Sequence, residues 1–324
     1  MEIRKIQRTG GSSYAVSLPK KWVVANSLKE GDRLALEELP SGELLVFPLN
    51  REALFGDYVL RLEGEMDPEH VLRTLIAIYL SGYDGITIRS EPVISEGLKK
   101  AVLNFTSRTI GMEVMEETRD TIALRELMGS PDVEPLKILA RMSTMAMAGM
   151  RDVANCLERP SATLLAEVVE RDLRIDRLHL LLDREFNRAM RHPLYAGRLG
   201  MNLTELWSVR NVSKTIERIG DHVERMASLL LQYGRPLRST GLRELFDRAM
   251  KTFEDALDAY MKKDVEGAQR IIDTAEGASA DASRLPEGCG GDGGIYAVLL
   301  AEDLMRIISY SADIAEAAID MGVR

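Results

Sequence analysis

The stretch ERIGDHVERM, residues 217–226, lies in a long segment with helical spacing and places two like charges, Glu217 and Asp221, four residues apart. Like charges at this spacing repel on a helix, and a glycine such as Gly220 lowers helix stability by about 1 kcal/mol relative to alanine. The purpose of these residues therefore depends on where their face of the helix points.

Apolar residues around this stretch recur every three or four positions and form a seam that predicts a buried helix face. The seam consists of Val209, Val212, Ile216, Ile219, Val223, Met226 and Leu230. Counted from Ile216, Glu217 lies at about 100° and Asp221 at about 140° around the helix axis. The two acids therefore flank the seam instead of lying opposite it.

A second stretch, ERDLRIDRLH at residues 170–179, repeats this arrangement. Its seam consists of Leu164, Val168, Ile175, Leu178, Leu182 and Phe186. Counted from Ile175, Asp172 lies at about 60° and Asp176 at about 100°, on a flank of the same sense. If the two helices pack antiparallel at matching heights, we expect Asp172, Asp176, Glu217 and Asp221 to converge on one side of the bundle.

Four converging carboxylates are hard oxygen ligands for a divalent or ferric cation, and a cation would remove their mutual repulsion. His179 and His222, each near an acid, could add nitrogen ligands or outer contacts. Gly220, which has no side chain, would let the facing helix or a ligand approach closely. An ordinary solvated, salt-bridged face is the alternative, because basic residues surround both acid pairs. These residues are Arg171, Arg174, Arg177, Lys214, Arg218 and Arg225.

From residue 131 onward the pattern is helical almost to the end. We predict six helices, at about 132–158, 161–191, 202–232, 239–263, 264–285 and 294–322. Long helices with short connections form antiparallel bundles, and these six divide into two sets of three. In the second set, Met305 and Ser309 stand where the first has Glu217 and Asp221. The connection GCGGDGG, 288–294, lacks the ending of a phosphate-binding loop, so we predict a flexible linker there.

The two preceding regions have different patterns. Residues 57–127 alternate between strands and helices, with Asp67 and Pro68 as a helix start, which predicts a compact α/β layer unit. Residues 1 to about 50 have the pattern of short strands only, with a turn at Pro40, Ser41 and Gly42. Such strands bury little apolar surface alone, so this unit needs a second copy or the following domain. The predicted domains are 1–50, 51–130 and 131–324.

Charge and cysteine content restrict the class of protein. The 324 residues carry 42 basic and 51 acidic side chains, a formal net charge of -9, which argues against nonspecific nucleic-acid binding by the whole molecule. Residues 1–33 are locally basic, with seven basic against three acidic side chains. Cys156 and Cys289 form neither a disulfide framework nor a zinc motif. With no long apolar run and no signal-peptide pattern, we expect a cytoplasmic protein without membrane insertion.

The motif ERIGDH, the upstream Asp-x-x-x-Asp of ERDLRID and the two sets of three helices resemble the PhoU family of phosphate-uptake regulators. The resemblance implies that acidic E/D-x-x-x-D motifs on each three-helix repeat bind multinuclear metal clusters, and that the protein represses phosphate import and signalling. Asp172, Asp176, Glu217 and Asp221 match the motifs of the first repeat. The implied metal ion or cluster could contain iron, zinc, magnesium or manganese. The second repeat departs from the pattern, since IIDTAEGASAD (271–281) matches only approximately.

RTGGSSYAVSLPKKW (8–22), followed by EGDRLAL and ELLVFP, resembles the AbrB/SpoVT family of swapped-hairpin DNA-binding domains. In that family two chains interleave their strands into one small β-barrel. Such a homodimer would offer a paired phosphate-contacting surface suited to a palindromic or repeated site. The implied DNA contacts are Arg4, Lys5, Arg8, Ser12, Ser13, Lys20 and Lys21. A dimerisation module with merely exposed lysines is the alternative.

Together these resemblances imply a multi-domain, mainly α protein: an N-terminal swapped-hairpin β-barrel dimer module, a small α/β connector domain and a C-terminal six-helix PhoU-like bundle. The implied function is a regulator of phosphate uptake that binds DNA, and not an enzyme. Its implied partner is a phosphate ABC transporter component or a phosphate-signalling protein, and its implied state is a homodimer or higher homo-oligomer. An adaptor that docks on such a partner without binding DNA is one alternative.

A carboxylate-bridged di-metal oxidase is the other alternative. That chemistry normally needs Glu-x-x-His on two helices, and here only Asp176 and His179 come near it.

A methionine-rich stretch, with Met142, Met145, Met147 and Met150, could be an adaptable binding surface, but its helical spacing favours the core.

Overall fold

The computed structural model describes residues 2–11, 13–38, 42–48, 55–64, 66–127, 133–281 and 292–323. The chain divides into two compact units, Met1–Leu54 and Phe55–Arg324. The structure is mainly helical, with a small β-rich unit at the start, as predicted. The division into three domains stays a prediction.

The described residues of the first unit form two antiparallel hairpins and one short helix. Strand β1 (Gln7–Thr9) pairs with β2 (Ser13–Ala15), and β3 (Leu34–Glu38) pairs with β4 (Leu44–Pro48). Helix α1 (Lys20–Ala25) lies between the hairpins, so the prediction of an all-β unit is wrong at these six residues. No described side chain of this unit is buried, which means that one copy of it has no core of its own.

Helix α1 forms where the sequence favours a strand because Pro19 precedes it. The Pro19 backbone has a φ of -62°, and its carbonyl oxygen accepts hydrogen bonds from the backbone N–H groups of Trp22 and Val23 at 3.0 and 3.1 Å. Val23 and Val24 are β-branched, which lowers their helix propensity. Local hydrogen bonding therefore outweighs side-chain propensity here.

The second unit begins with a four-stranded sheet covered on one face by two helices. The elements are β5 (Asp57–Glu63), α2 (Pro68–Leu80), β6 (Gly85–Glu91), α3 (Glu96–Arg108), β7 (Met112–Glu117) and β8 (Thr121–Glu126). The strand order is β5-β6-β8-β7, with β5 and β6 parallel and the other pairs antiparallel. The predicted α/β layer is confirmed. Asp67 caps α2 by accepting the N–H of Glu69 at 2.7 Å, with Pro68 as the first helical residue.

Seven helices follow in the described part of the chain. They are α4 (Pro135–Glu158), α5 (Ala162–Arg191), α6 (Pro193–Arg198), α7 (Leu203–Tyr233), α8 (Thr240–Lys262), α9 (Val265–Asp281) and α10 (Asp292–Gly322). The six long helices are those predicted, and the short α6 lies in a connection. Part of the glycine-rich linker, 288–291, lies outside the described residues, and Asp292 already begins α10. None of the described helices combines the length and apolar character needed to cross a membrane.

The helices pack as two sets of three. Helices α4, α5 and α7 contact one another, as do α8, α9 and α10, while α7 packs on α10 and α4 on α8. One continuous apolar core runs through both sets. A separate apolar cluster lies between the sheet and helices α2 and α3.

Two buried arginines of α5 attach the sheet layer to the bundle. Arg184 donates to the carbonyl oxygen of Tyr83 at 2.8 Å and pairs with Glu126 at 3.0 Å. Arg188 pairs with Glu126 at 2.5 Å and with Asp84 at 3.0 Å. Both arginines are at most 1% exposed. Helix α5 is therefore common to both layers of the second unit.

Candidate metal centre

The centre lies where α5 and α7 pack against each other through the predicted seams. Ile216, Ile219 and Val223 of α7 are buried, and so is Ile175 of α5. A Cβ atom on Gly220 would lie 2.7 Å from Asp172 Oδ1 and 3.2 Å from Ile175 Cδ1. The expectation that Gly220 permits a close approach of the facing helix is confirmed.

Three of the four predicted acids converge. Asp172, Asp176 and Asp221 each place one carboxylate oxygen so that all three atoms lie within 4.8 Å of one another. Glu217 lies beside them, where its Oε1 accepts a hydrogen bond from Lys214 Nζ at 2.5 Å. The shared flank inferred from helical geometry thus brings α5 and α7 acids together. We call Asp172, Asp176, Glu217 and Asp221 the carboxylate cluster.

Burial and mutual repulsion disfavour the charged forms of these acids. Burial, followed by the charges of Asp176 and Asp221, raises the pKa of Asp172 to about 7. Burial, followed by Glu217 and Asp221, raises the pKa of Asp176 to about 6. Burial also raises the pKa of Asp221. The metal-free cluster therefore carries an electrostatic cost that a bound cation would relieve.

Several oxygens of the carboxylate cluster have no hydrogen-bond donor. Asp172 Oδ1, Asp176 Oδ1 and Glu217 Oε2 are buried and accept no hydrogen bond within the described part of the chain. Buried acceptors are normally satisfied, and an all-oxygen donor set suits hard cations such as Mg²⁺, Mn²⁺ or iron. The residues present therefore fit a metal ion.

The basic residues that could make this face an ordinary salt-bridged surface are largely engaged elsewhere. Arg171 pairs with Asp152 at 2.9 Å and Arg174 with Glu170 at 3.3 Å. Arg177 donates to the carbonyl oxygen of Thr109, Arg218 lies over the ring of Tyr310, and Arg225 pairs with Asp303. Among the ion pairs of the described residues, only that of Lys214 reaches the carboxylate cluster. This distribution favours the metal-binding alternative.

Within the described residues, the hydrogen bonds and ion pairs of His179 and His222 are made with residues outside the carboxylate cluster. His179 Nδ1 lies 3.0 Å from Ser213 Oγ, and its Nε2 lies 3.9 Å from Asp183. His222 Nδ1 lies 2.8 Å from Asp303 Oδ1 on α10. They therefore serve to hold α5, α7 and α10 together.

Two charged residues near the carboxylate cluster were not predicted as part of it. Glu224, one turn beyond Asp221, adds to the repulsion that raises the pKa of Asp172. Arg108, at the end of α3, lowers the pKa of Asp176 and so partly offsets its burial. The flank position of Glu224 in the helix could have identified it, whereas no local signal connects Arg108 to a helix about 70 residues later.

The second helix set holds no equivalent group among the described residues. Met305 is half-buried, Ser309 is exposed, and the carboxylate cluster supplies the one group of acids close enough to share an ion in the described ranges. The loss of the second carboxylate pair, predicted from the sequence, is consistent with this.

The predicted DNA-contacting residues lie in the first unit and are exposed where they are described. Arg4 pairs with Glu2 at 2.8 Å, and Arg8 donates to the carbonyl oxygen of Gly11 at 2.8 Å. Lys20 and Lys21 are the first two residues of α1, and Ser13 begins β2. Lys5 precedes β1, and Ser12 lies outside the described residues.

The sequence from α4 through α7, which carries the carboxylate cluster, matches a known domain. Residues 139–230 match the model of the PhoU domain. The chain carries a PhoU domain. That domain contains all four acids of the carboxylate cluster, whereas α8, α9 and α10 lie outside the match. No curated protein matches the chain significantly.

The first unit also has a match. Residues 7–54 match the family described as antidote-toxin recognition MazE, bacterial antitoxin. The N-terminal unit is therefore MazE/AbrB-like, and both resemblances drawn from the sequence are confirmed.

Two solved PhoU structures resemble a little over half of the chain. PhoU from Pseudomonas aeruginosa is 21% identical, with a TM-score of 0.49, and the likeness covers 56% of this chain and 92% of that one. The phosphate transport system regulatory protein PhoU from Streptococcus pneumoniae is 17% identical, with a TM-score of 0.50, covering 57% of this chain and 92% of that one. At 17% identity, the likeness to the Streptococcus pneumoniae protein shows a shared fold.

Proposed function

We propose that the protein regulates phosphate uptake by coupling its PhoU domain to DNA binding through the MazE-like unit. The observation that carries this proposal is that one chain joins these two domains. The protein would act in the cytoplasm as a regulator and not as an enzyme. Its partner would be a phosphate ABC transporter component or a phosphate-signalling protein.

The PhoU domain would hold a metal ion through Asp172, Asp176, Glu217 and Asp221. A bound cation would supply the positive charge that these acids lack, and so would hold α5 and α7 together at one point. Gly220 keeps the two helices close enough for acids on both to share an ion. Lys214 orients Glu217 by binding one of its oxygens.

The MazE-like unit would bind DNA as a homodimer. One copy of this unit leaves large apolar side chains exposed, among them Ile6 before β1 at 70%, Val24 of α1 at 67% and Leu36 of β3 at 65%. A second copy could bury them, and the dimer would duplicate the basic side chains of Arg4, Lys5, Arg8, Lys20 and Lys21. Such doubling supports phosphate contacts on both halves of a symmetric site.

The metal proposal is tested by elemental mass spectrometry on untagged protein. We expect stoichiometric metal in the wild-type protein and its loss in the double variant Glu217→Gln, Asp221→Asn. The control is Glu167→Gln, an exposed acid of α5 away from the cluster, which should keep its metal. Absence of metal from wild-type protein that has also been incubated with Mg²⁺, Mn²⁺, Fe²⁺ and Zn²⁺ would contradict the assignment.

The DNA proposal is tested by selecting duplexes from a random library with the full chain and measuring their affinity across salt concentrations. The double variant Lys20→Ala, Lys21→Ala should weaken binding and reduce the salt slope, since each lost phosphate contact removes about 0.9 from that slope. Lys29→Ala removes an exposed lysine that is not among the predicted contacts and serves as the control. If no duplex is enriched, the adaptor without DNA binding replaces this proposal.

A further inference from the structure

A groove of about 390 Å³ lies between α4 and α8, where the two helix sets meet. It is separate from the carboxylate cluster, which lies between α5 and α7. The two helices run antiparallel, because the start of α8 lies against the end of α4: Arg243 donates to the carbonyl oxygen of Ala154 at 3.3 Å. The groove therefore follows two helix axes and has the form that a third helix could occupy.

The groove has an apolar floor made of adaptable side chains. Leu139 is fully buried, Met147 and Leu257 are half-buried, and Met261 is 46% exposed. Methionine side chains are flexible and polarisable, and such side chains are common on surfaces that bind varied partners. Of the methionine-rich stretch, Met142 and Met150 belong to the core, whereas Met147 reaches the groove.

The two hydroxyl groups on the α4 wall are already bonded within their own helix. Ser143 Oγ donates to the carbonyl oxygen of Leu139, and Thr144 Oγ1 donates to that of Ala140, both at 2.8 Å. Apart from the guanidinium of Arg151, this wall therefore offers few hydrogen-bond donors to a ligand. An apolar surface suits it better than a small polar molecule.

Charge is distributed unequally along the rim. Glu254 and Asp258, exposed and one turn apart, line the α8 side, while the facing α4 side carries the uncharged Ala140 and Thr144 and, at one end, Arg151. Asp258 also contacts Lys262 on its own helix at 2.7 Å. The one cation that lines the groove, among the described residues, is Arg151. The two acids of the α8 rim therefore complement a basic edge on whatever binds.

We propose that this groove docks an amphipathic α-helix of a partner protein, with its apolar face on Met147, Leu257 and Met261 and its basic flank against Glu254 and Asp258. Helix-in-groove binding of this kind depends on apolar anchors spaced one turn apart, and flanking charges set the orientation. The inference goes beyond the proposed function, because it uses neither the carboxylate cluster nor the MazE-like unit.

The test uses the full chain and two labelled peptides of about 18 residues, long enough for five helical turns. Both peptides carry the same leucines at i, i+3, i+4 and i+7; one has lysines on a single flank and the other has glutamates there. Fluorescence anisotropy should show that the lysine peptide binds at least about tenfold more tightly than the glutamate peptide. The double variant Glu254→Lys, Asp258→Lys should reverse this preference, whereas Glu244→Lys, an exposed acid of α8 outside the groove, should leave it unchanged.

A second variant tests the apolar floor. Met261→Glu changes an exposed side chain, so the variant should fold normally by circular dichroism. Its affinity for the lysine peptide should be at least about tenfold lower than that of wild type. Absence of binding by either peptide, or a preference that the rim variant leaves unchanged, would overturn the proposal. Sedimentation that shows an oligomer dissociated by Met261→Glu would assign the groove to a second copy of the chain, and would overturn it as well.

Discussion

At the scale of single residues, the pKa of Asp172 in the carboxylate cluster is raised further than that of its neighbour Asp176. Its pKa rises to about 7 because it is largely buried and faces four other acids, Asp176, Asp221, Glu224 and Glu217. In the unfolded chain the same group titrates near 4. The folded metal-free protein therefore binds this proton more tightly than the unfolded chain does.

This difference predicts that the metal-free protein becomes less stable as pH rises from about 4 to about 7, because the folded state must then lose a proton that it holds more tightly. Above about pH 8 this group should cause no further change. Asp172→Asn should remove the effect and stabilise the metal-free protein at about pH 8 by roughly 1 to 2 kcal/mol, after allowance for screening of a partly exposed group.

Urea unfolding with a chelator, at about pH 5 and about pH 8, measures this prediction. The stability gain of Asp172→Asn over wild type should be larger at the higher pH. An equal gain at both values would show that Asp172 is not protonated in the folded protein. Glu167→Gln, on the exposed side of α5, should show no such difference.

Gly220 permits a second prediction. Alanine at this position gains about 1 kcal/mol of helix propensity, but its Cβ would lie 2.7 Å from Asp172 Oδ1. Because that oxygen is the end of a side chain, Asp172 can rotate away, so we expect stability within about 1 kcal/mol of wild type. Metal affinity should fall at least about tenfold, since a ligand is displaced.

Isothermal titration with Mn²⁺ measures the affinity of Gly220→Ala. Gly197→Ala is the matched control, because a Cβ there meets no atom within 4 Å. Metal affinity that is unchanged in Gly220→Ala would mean that Asp172 does not need its present position to bind the ion.

At the scale of elements, α5 carries two separate groups of charged side chains along one helix. Its first half carries Asp172 and Asp176, and its second half carries Arg184 and Arg188, which hold the sheet layer. Arg188 also lies over the ring of Phe55, whose backbone N–H donates to Asp84. The beginning of the second unit is therefore fixed to the same helix that carries half of the carboxylate cluster.

Arg188→Met tests this attachment. Removal of the guanidinium leaves Asp84 without its buried cation and leaves Glu126 with Arg184 alone. Removal of one partner from a buried pair typically costs about 3 to 5 kcal/mol. Arg174→Met is the control, because Arg174 forms only an exposed pair with Glu170, worth less than about 1 kcal/mol. Urea unfolding of both variants gives the comparison; equal stabilities would show that the buried network contributes nothing net.

The elements of the second unit follow closely from the sequence, because seams spaced three or four residues apart and alternating strands specify local structure directly. The shared flank of Asp172, Asp176 and Asp221 followed in the same way from helical geometry. Helix α1 did not follow from the sequence pattern, because hydrogen bonds to the carbonyl oxygen of Pro19 stabilise it against the strand propensity of its valines. The buried arginines did not either: Arg184 and Arg188 resemble solvated charges, and their partner Glu126 lies about 60 residues earlier in the chain.

At the scale of the whole molecule, α7 connects the two helix sets. One face of α7 carries Glu217 and Asp221 towards α5, while His222 and Arg225 both contact Asp303 of α10 at 2.8 Å. Asp303 is fully buried. Any change in the position of α7 on metal binding would therefore alter the environment of a buried charge in the second set, which makes α7 the direct physical connection between the cluster and α10.

The last prediction concerns the first unit. Since no described side chain there is buried in one copy, the proposed homodimer should depend on exposed apolar residues such as Leu36 on β3. Leu36→Arg should shift the full chain from dimer to monomer in sedimentation, because a charge buried without a partner is strongly unfavourable. It should also weaken DNA binding at least about tenfold, as a monomer contacts only half of a symmetric site.

Leu103→Arg is the matched control for this variant. Leu103, on α3 in the second unit, is 65% exposed, the same fraction as Leu36. Equal effects of the two substitutions would mean that a general loss of solubility or folding is measured and not a specific interface. A dimer that persists in Leu36→Arg but dissociates in Met261→Glu would place the self-association in the helical bundle, and the MazE-like unit would then require a partner other than its own copy to bury its apolar strands.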